Sequence, residues 1–304
     1  MDKESRSGLL LIDKPSGPTS HDVVAAVRGF LGKVKVGHTG TLDPMASGLL
    51  VVLVGSTTRL APYVRDDPKI YEGSILLGVC TDSMDTQGEV TCEKPYGGGP
   101  REAREALASL LGELEQVPPM YSAVKHRGRP LYHYARKGQE VARKSRRVRL
   151  YRVEMTGYRD LGERAEVDFV VECSPGTYVR DLAARVGCAL SCGGTLSRLR
   201  RTAAGPFRVE DASSLEAVGD ELARGWEVLL PAEAALTGYA RVEVTGAACG
   251  AVRNGAPVTR DMVSGADAGM ALGDVVAVFG GGTLLGVHRV TSLEPFESRA
   301  ARMM

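Results

Sequence analysis

Apolar positions recur along this chain with periods that change from segment to segment, and each period predicts an element. Residues 9–13 form a short apolar run that predicts a strand, and Lys14-Pro15-Ser16-Gly17-Pro18 a turn. Thr19 or Ser20 offers an N-cap to a helix whose Val23, Val27, Phe30 and Leu31 share one face and which Gly32 ends. Residues 49–54 are unbroken apolar sequence with three valines, the pattern of a strand covered on both faces. From 69 to 79 the period is two, which puts Tyr71, Ile75, Leu77 and Val79 on one side of a strand. A helical period returns over 101–114, with Leu107, Leu110, Leu111 and Leu114 as its buried stripe. Strands over 148–158 and 164–173 then precede a helix that Thr177 can cap and that runs through Val186. Past Leu230-Pro231 the texture changes to short alternating runs at 241–244, 275–279 and 284–290, separated by glycines, which predict a small β-rich unit.

A chain of 304 residues exceeds one average domain, so a large domain over 1–235 followed by a smaller one over 236–304 is expected. The formal charge of +1 would argue against a nucleic-acid binder if it were evenly spread. It is not: residues 121–152 hold eleven Lys/Arg and one acid, Glu140, a local net charge of +10. A solvated face alternates its signs, whereas a collected patch is the footprint of a surface that grips phosphates. Lys125, Arg127, Arg136, Arg143, Lys144, Arg146 and Arg147 are its candidate contacts, and Tyr121, Tyr132 and Tyr134 interleave with them. Cations with aromatic side chains suit RNA, neutralising phosphates while stacking on splayed bases. A purely structural insertion is the alternative.

Six cysteines, at 80, 92, 173, 188, 192 and 249, show no C-x-x-C pair and no accompanying histidine spacing, so neither a zinc site nor a disulfide framework is indicated. They are expected to be reduced and mostly buried. The polar start over 1–8 and the short apolar stretch over 9–12 do not make a signal sequence, and no run approaches membrane-spanning length, so a cytoplasmic protein without a membrane partner is expected. No Gly-rich phosphate loop, His-Glu-x-x-His or Ser-His-Asp order stands out, and no metal or other cofactor is called for.

The most informative stretch is Gly37-His38-Thr39-Gly40-Thr41-Leu42-Asp43-Pro44-Met45-Ala46-Ser47-Gly48-Leu49-Leu50. Its glycines permit close backbone approaches, and Pro44 pushes Asp43 away from the α region, so one carboxylate is fixed in a rigid loop ahead of a buried strand. Taken alone, Asp-Pro reads as an Asx-turn, its commoner use. The whole string resembles the central motif of the bacterial tRNA pseudouridine-55 synthases, the TruB family. Other family strings are present: Asp13-Lys14-Pro15-Ser16-Gly17-Pro18-Thr19-Ser20, Lys69-Ile70-Tyr71, Pro118-Pro119-Met120-Tyr121-Ser122-Ala123, Leu131-Tyr132-His133-Tyr134-Ala135-Arg136, Gly176-Thr177-Tyr178-Val179-Arg180, and Leu199-Arg200-Arg201 followed by Gly205-Pro206-Phe207. Arg253-Asn254-Gly255 and Gly286-Val287 resemble landmarks of the PUA domain that ends the family, although a generic β-barrel appendage describes this unit nearly as well.

The resemblance implies an α+β catalytic domain around a mixed, largely antiparallel sheet, with a thumb-like insertion over 117–152 that clamps transfer RNA, and a PUA-like unit after it. It implies Asp43 as the nucleophile, Arg180 beside it, and Tyr71 against the target base as a candidate proton acceptor. Tyr178 and Leu199 would line the base pocket. His38 would fill the space that flipped bases leave, a structural loop histidine being the alternative. Lys14 is either an RNA contact or an ordinary turn lysine. An arginine near a helix start is poorly placed for the macrodipole, which itself suggests a partner carboxylate for Arg180. Asp181 stands where the family commonly has a small hydroxyl residue, and Ser83 where it often has threonine, so the orientation of Arg180 is the point to check. The implied activity is conversion of uridine 55 in the T-stem loop of tRNA by base flipping, without cofactor, as a monomer. The guide-RNA-directed relatives of the family lack the insertion, so no guide RNA is expected. A second role as an RNA-folding chaperone stays open.

Overall fold

A computed structural model describes residues 7–304; positions 1–6 of the expected polar start and catalytic unit lie outside the described residues. Its main sheet is mixed and largely antiparallel. Strands β1 (Gly8–Lys14), β2 (Ser47–Val54), β3 (Lys69–Leu77), β4 (Gly112–Gln116), β5 (Arg146–Asp160), β6 (Ala165–Cys173) and β7 (Gly194–Ala204) lie in the order β1-β2-β7-β3-β6-β5-β4. Only the β2–β7 contact and a two-residue pairing of Ser213–Ser214 with β1 are parallel.

β2 explains its own sequence. Leu50, Val52 and Val54 pack on one face against Val23, Val27 and Leu31 of helix α1 (Ser20–Leu31), while Leu49, Val51 and Leu53 fill a second core on the other. With both faces covered, every position from Gly48 to Val54 is buried. Thr19 caps α1 with a full capping box shared with Asp22, and Gly32 closes it. Phe30 departs from the expected buried stripe: it is 48% exposed, lying against the edge of the helix that follows the sheet.

Three further expectations need correcting. The helix read over 101–114 is α2 (Pro100–Ala108), because Gly112 takes φ +106 and the chain turns into β4, which pairs with the first residues of β5. Leu111 is therefore exposed, and Leu114 packs from a strand. Thr177 does not cap α3 (Val179–Ala189): the cap position is Tyr178, and the Thr177 hydroxyl donates to the Ser174 carbonyl at 2.8 Å. Gly78, at φ +96, ends β3, so Val79 begins a separate hairpin, Val79–Thr81 against Val90–Glu93.

Because Gln116 pairs with Arg146 at the sheet edge, the segment leaving the sheet is 117–145. Residues 146–152, expected in the insertion, belong to β5. After helix α4 (Leu215–Arg224), a second mixed sheet of six strands follows, including β8 (Ala240–Val244), β9 (Val275–Gly280), β10 (Thr283–Leu293) and β11 (Phe296–Met303). Its Ala277, Phe279, Leu284 and Val287 complete the core on the far face of β2, so the two sheets share a packed boundary. No helix among the described residues is long and apolar enough to cross a membrane.

Candidate active site

One register row runs across the main sheet beneath the Asp43 loop: Lys14 opposite Gly48, Gly48 opposite Arg201, Arg201 opposite Tyr71. The loop rests on this row. Gly48 must be glycine, since at φ +98 a Cβ would stand 2.3 Å from the Arg201 carbonyl oxygen. Arg201 is buried, its Nε donating to the Leu49 carbonyl at 2.7 Å and its Nη2 to that of Gly40 at 3.1 Å. Arg201 is thus a strut that spans the loop.

The turn after β1 cradles the loop from its other side. Ser20 Oγ donates to the Leu42 carbonyl at 3.1 Å and accepts from the Leu42 N–H at 2.8 Å; Gly17 N donates to the Pro44 carbonyl at 2.8 Å, and Ser16 Oγ to that of Met45 at 3.0 Å. Lys14 belongs to this cradle, which favours the turn-lysine alternative over an RNA contact. It is fully buried, with Nζ donating to the carbonyls of Pro15 and Pro18 at 2.8 Å each and facing that of Pro44 at 3.4 Å. Burial pulls its pKa down to about 8, against the opposing pull of Asp43.

So held, Asp43 meets Arg180. The guanidinium Nε stands 2.8 Å from Oδ2, and Nη2 donates to Oδ1 at 3.0 Å. Arg180 is 3% exposed and its remaining contacts tie down two other segments: Nη1 donates to the Ser83 carbonyl at 3.0 Å and pairs with Asp85 at 3.3 Å, and Nη2 also donates to the Tyr121 carbonyl at 2.7 Å. Asp181 does not compete for it, being paired with Arg185 one turn on at 2.7 Å. The Asp43 side chain keeps 30% of its surface exposed, at the floor of a cleft of about 850 Å³. Burial raises its pKa, Arg180 opposes that shift, and the neighbouring Asp85 carboxylate adds to it; the balance is upward.

His38, Tyr121, Lys125 and Arg136 line the same cleft, together with Tyr132. His38 has its Nδ1 buried without a partner, and burial, then Arg201, lowers its pKa, so the ring is neutral near pH 7. Tyr121 donates its hydroxyl to Asp82 at 2.9 Å, which joins the insertion to the loop after Val79–Thr81. Tyr71 and Leu199 lie behind the cleft floor in one apolar cluster with Leu42 and Met45, and burial raises the Tyr71 pKa. Tyr178 is set apart, covered by Arg146 at 4.3 Å and clamped through its backbone by the fully buried Gln116, which accepts from its N–H at 2.9 Å and donates to its carbonyl at 3.1 Å. Arg143 is occupied by the Pro118 carbonyl and Glu140, whereas Arg127, Lys144 and Arg147 are exposed.

The sequence did not single out Asp85 or Gln116. Nothing local marks either, because each matters through a side chain that arrives from far along the chain.

With this geometry in place, the comparisons with known proteins bear directly on it. The model of the TruB family pseudouridylate synthase N-terminal domain matches residues 28–179, and that of the tRNA pseudouridylate synthase B C-terminal domain matches 180–237. Proteins named tRNA pseudouridine synthase B are 48% identical in Symbiobacterium thermophilum, over 83% of this chain and 84% of theirs, and 44% in Geobacillus kaustophilus, over 82% and 90%. The chain belongs to the TruB family. Among solved structures, a chain of a Cbf5-Nop10-Gar1 complex superposes with a TM-score of 0.71 at 28% identity, covering 98% of this chain and 84% of that one. That likeness extends over the second sheet, which the two TruB models leave unmatched beyond residue 237.

Proposed function

We propose that this chain isomerises uridine to pseudouridine in transfer RNA, at position 55 of the T loop, with Asp43 as the reacting carboxylate. The observation that carries the reading is the Asp43–Arg180 pair on the floor of an open cleft with tyrosines and cations on its rim; relatives named tRNA pseudouridine synthase B supply the substrate class. In the reaction N1 of uracil leaves C1′ of the ribose, the ring turns, C5 joins C1′, and the C5 proton is lost while N1 gains one. No electrons cross to another molecule, so few parts suffice. Asp43 acts where ring and sugar separate, and Arg180 aims its oxygens and supports their charge. Tyr71 lies behind the cleft floor, and burial keeps its phenol protonated, which leaves the C5 proton to water. The target nucleotide must leave its stack, at about a few kcal/mol, offset by contacts from the basic insertion. Neutral His38, on the cleft wall, takes the vacated space. The second sheet, read as PUA-like, extends the RNA-binding face, and the insertion over 117–145 supports action without a guide RNA.

The test is tritium release from a T-arm RNA labelled at uridine C5. Wild type is expected to release label with no guide RNA, and Asp43→Asn to bind the RNA and release none. Full release by Asp43→Asn would overturn the assignment of the carboxylate, and dependence on an added guide would overturn the stand-alone reading.

A further inference from the structure

The hairpin after β3 carries a feature that the proposed reaction does not use. In its antiparallel register Cys80 stands directly opposite Cys92. Residues so opposed have Cα atoms about 4.5–5.5 Å apart, inside the about 4.4–6.8 Å that a disulfide spans. Both are free thiols, Cys92 exposed and Cys80 partly buried. This departs from the expectation of mostly buried cysteines, since only Cys173 and Cys192 are buried. Burial and then the neighbouring Cys92 thiol raise the Cys80 pKa, with the buried Cys192 as a further, weaker neighbour.

What the pair brackets gives it consequence. Between the two sulfurs the chain carries Asp82, which accepts the Tyr121 hydroxyl, and Ser83 and Asp85, which hold Arg180. A bond between Cys80 and Cys92 would close this loop at its base without moving it, because the strands are already paired there.

We propose that Cys80 and Cys92 are a reversible disulfide site that braces the active-site loop under oxidising conditions. Exposed Cys92, as thiolate, attacks a small-molecule disulfide such as oxidised glutathione; one half leaves as thiolate and a mixed disulfide forms. Cys80 thiolate then attacks the Cys92 sulfur and expels the second half. Two protein thiols are oxidised, one disulfide is reduced to two thiols, and the two protons lost from Cys80 and Cys92 pass to the expelled thiolates.

The chemistry is read without reference to the isomerase activity. The full chain is treated with oxidised glutathione, then studied by thiol titration, intact mass, non-reducing peptide mapping and thermal denaturation. The expected result is loss of two thiols, a mass lower by two hydrogens, a peptide joining Cys80 to Cys92, and a Tm higher by a few degrees, all reversed by dithiothreitol. Cys92→Ser, at an exposed position, should match wild type in reductant and show none of these changes in oxidant. A cross-link to Cys192, a mixed disulfide that persists at Cys92, disulfide-linked dimers, or an unchanged Tm would each overturn the proposal.

Discussion

Asp43 answers to two opposing demands. The proposed reaction needs an ionised carboxylate, yet burial and Asp85 hold its pKa above the ordinary 3.8 despite the guanidinium of Arg180. Two consequences follow with opposite signs. Activity should fall as pH drops through the raised pKa, so the acid limb of kcat/KM lies above that of a free aspartate. Stability runs the other way: between the unfolded and folded pKa the native state binds the proton more tightly, so stability is fully present below the unfolded pKa and declines as pH rises through the folded one. Asp85→Asn removes one cause of the shift and leaves Asp43 as the one carboxylate paired with Arg180, so the limb should move to lower pH, as measured by tritium release across an acidic series. A limb that stays in place would show that Asp85 does not act on Asp43. At this scale backbone chemistry marked the loop, through Pro44 and the glycines around it, while the resemblance of the whole string marked Asp43 within it. Asp85 carries no such mark. Lys14 was visible as a motif residue but not as a buried one, since its environment is made by the loop from Pro44 that folds over it.

At the level of elements, periodicity was legible wherever a segment packs on a regular surface. The strand over β2 follows its hydrophobic pattern throughout, and the helix α1 follows its own at Val23, Val27 and Leu31 though not at Phe30, because each pattern reports a core that exists. The helix over 101–114 did not, because its apolar residues serve two elements: Leu107 packs from a helix and Leu114 from a strand, with Gly112 turning between them. A 3.6-residue pattern cannot reveal a change of element when the apolar spacing happens to continue through it. The junction between the Asp43 loop and β2 is where local geometry is most demanding. Gly48→Ala places a Cβ in the left-handed region and against the Arg201 carbonyl. A loss on the order of 2 kcal/mol is expected, measured by chemical denaturation, together with reduced turnover, because the loop that carries Asp43 is anchored on this register row. Gly112→Ala, also at positive φ but with open space around it, should cost less.

Over the whole molecule, the site is an assembly of remote segments: the Asp43 loop, the 82–89 loop, the insertion at Tyr121 and the start of α3 converge on one guanidinium. Such convergence is invisible to local pattern: the family resemblance reached its Asp43–Arg180 part, and the contacts from Ser83, Asp85 and Tyr121 came only with the structure. The charge distribution, in contrast, was visible from the start, and the structure now separates its members by task. Arg146 covers Tyr178 and Arg143 fastens Pro118 to Glu140, so both work inside the protein, whereas Lys144 and Arg147 project outward. Reversing Lys144 and Arg147 to glutamate should weaken T-arm binding and flatten the dependence of log affinity on log salt by roughly 0.7 to 0.9 for each phosphate that is no longer neutralised, with turnover at saturating RNA nearly unchanged. Arg146→Ala should do the reverse, leaving the salt slope close to wild type while lowering turnover, because Tyr178 loses the cation that covers its ring. If all the cations of this stretch behave alike in a filter-binding titration, the division between outward and inward arginines is wrong, and the segment acts as a diffuse positive surface.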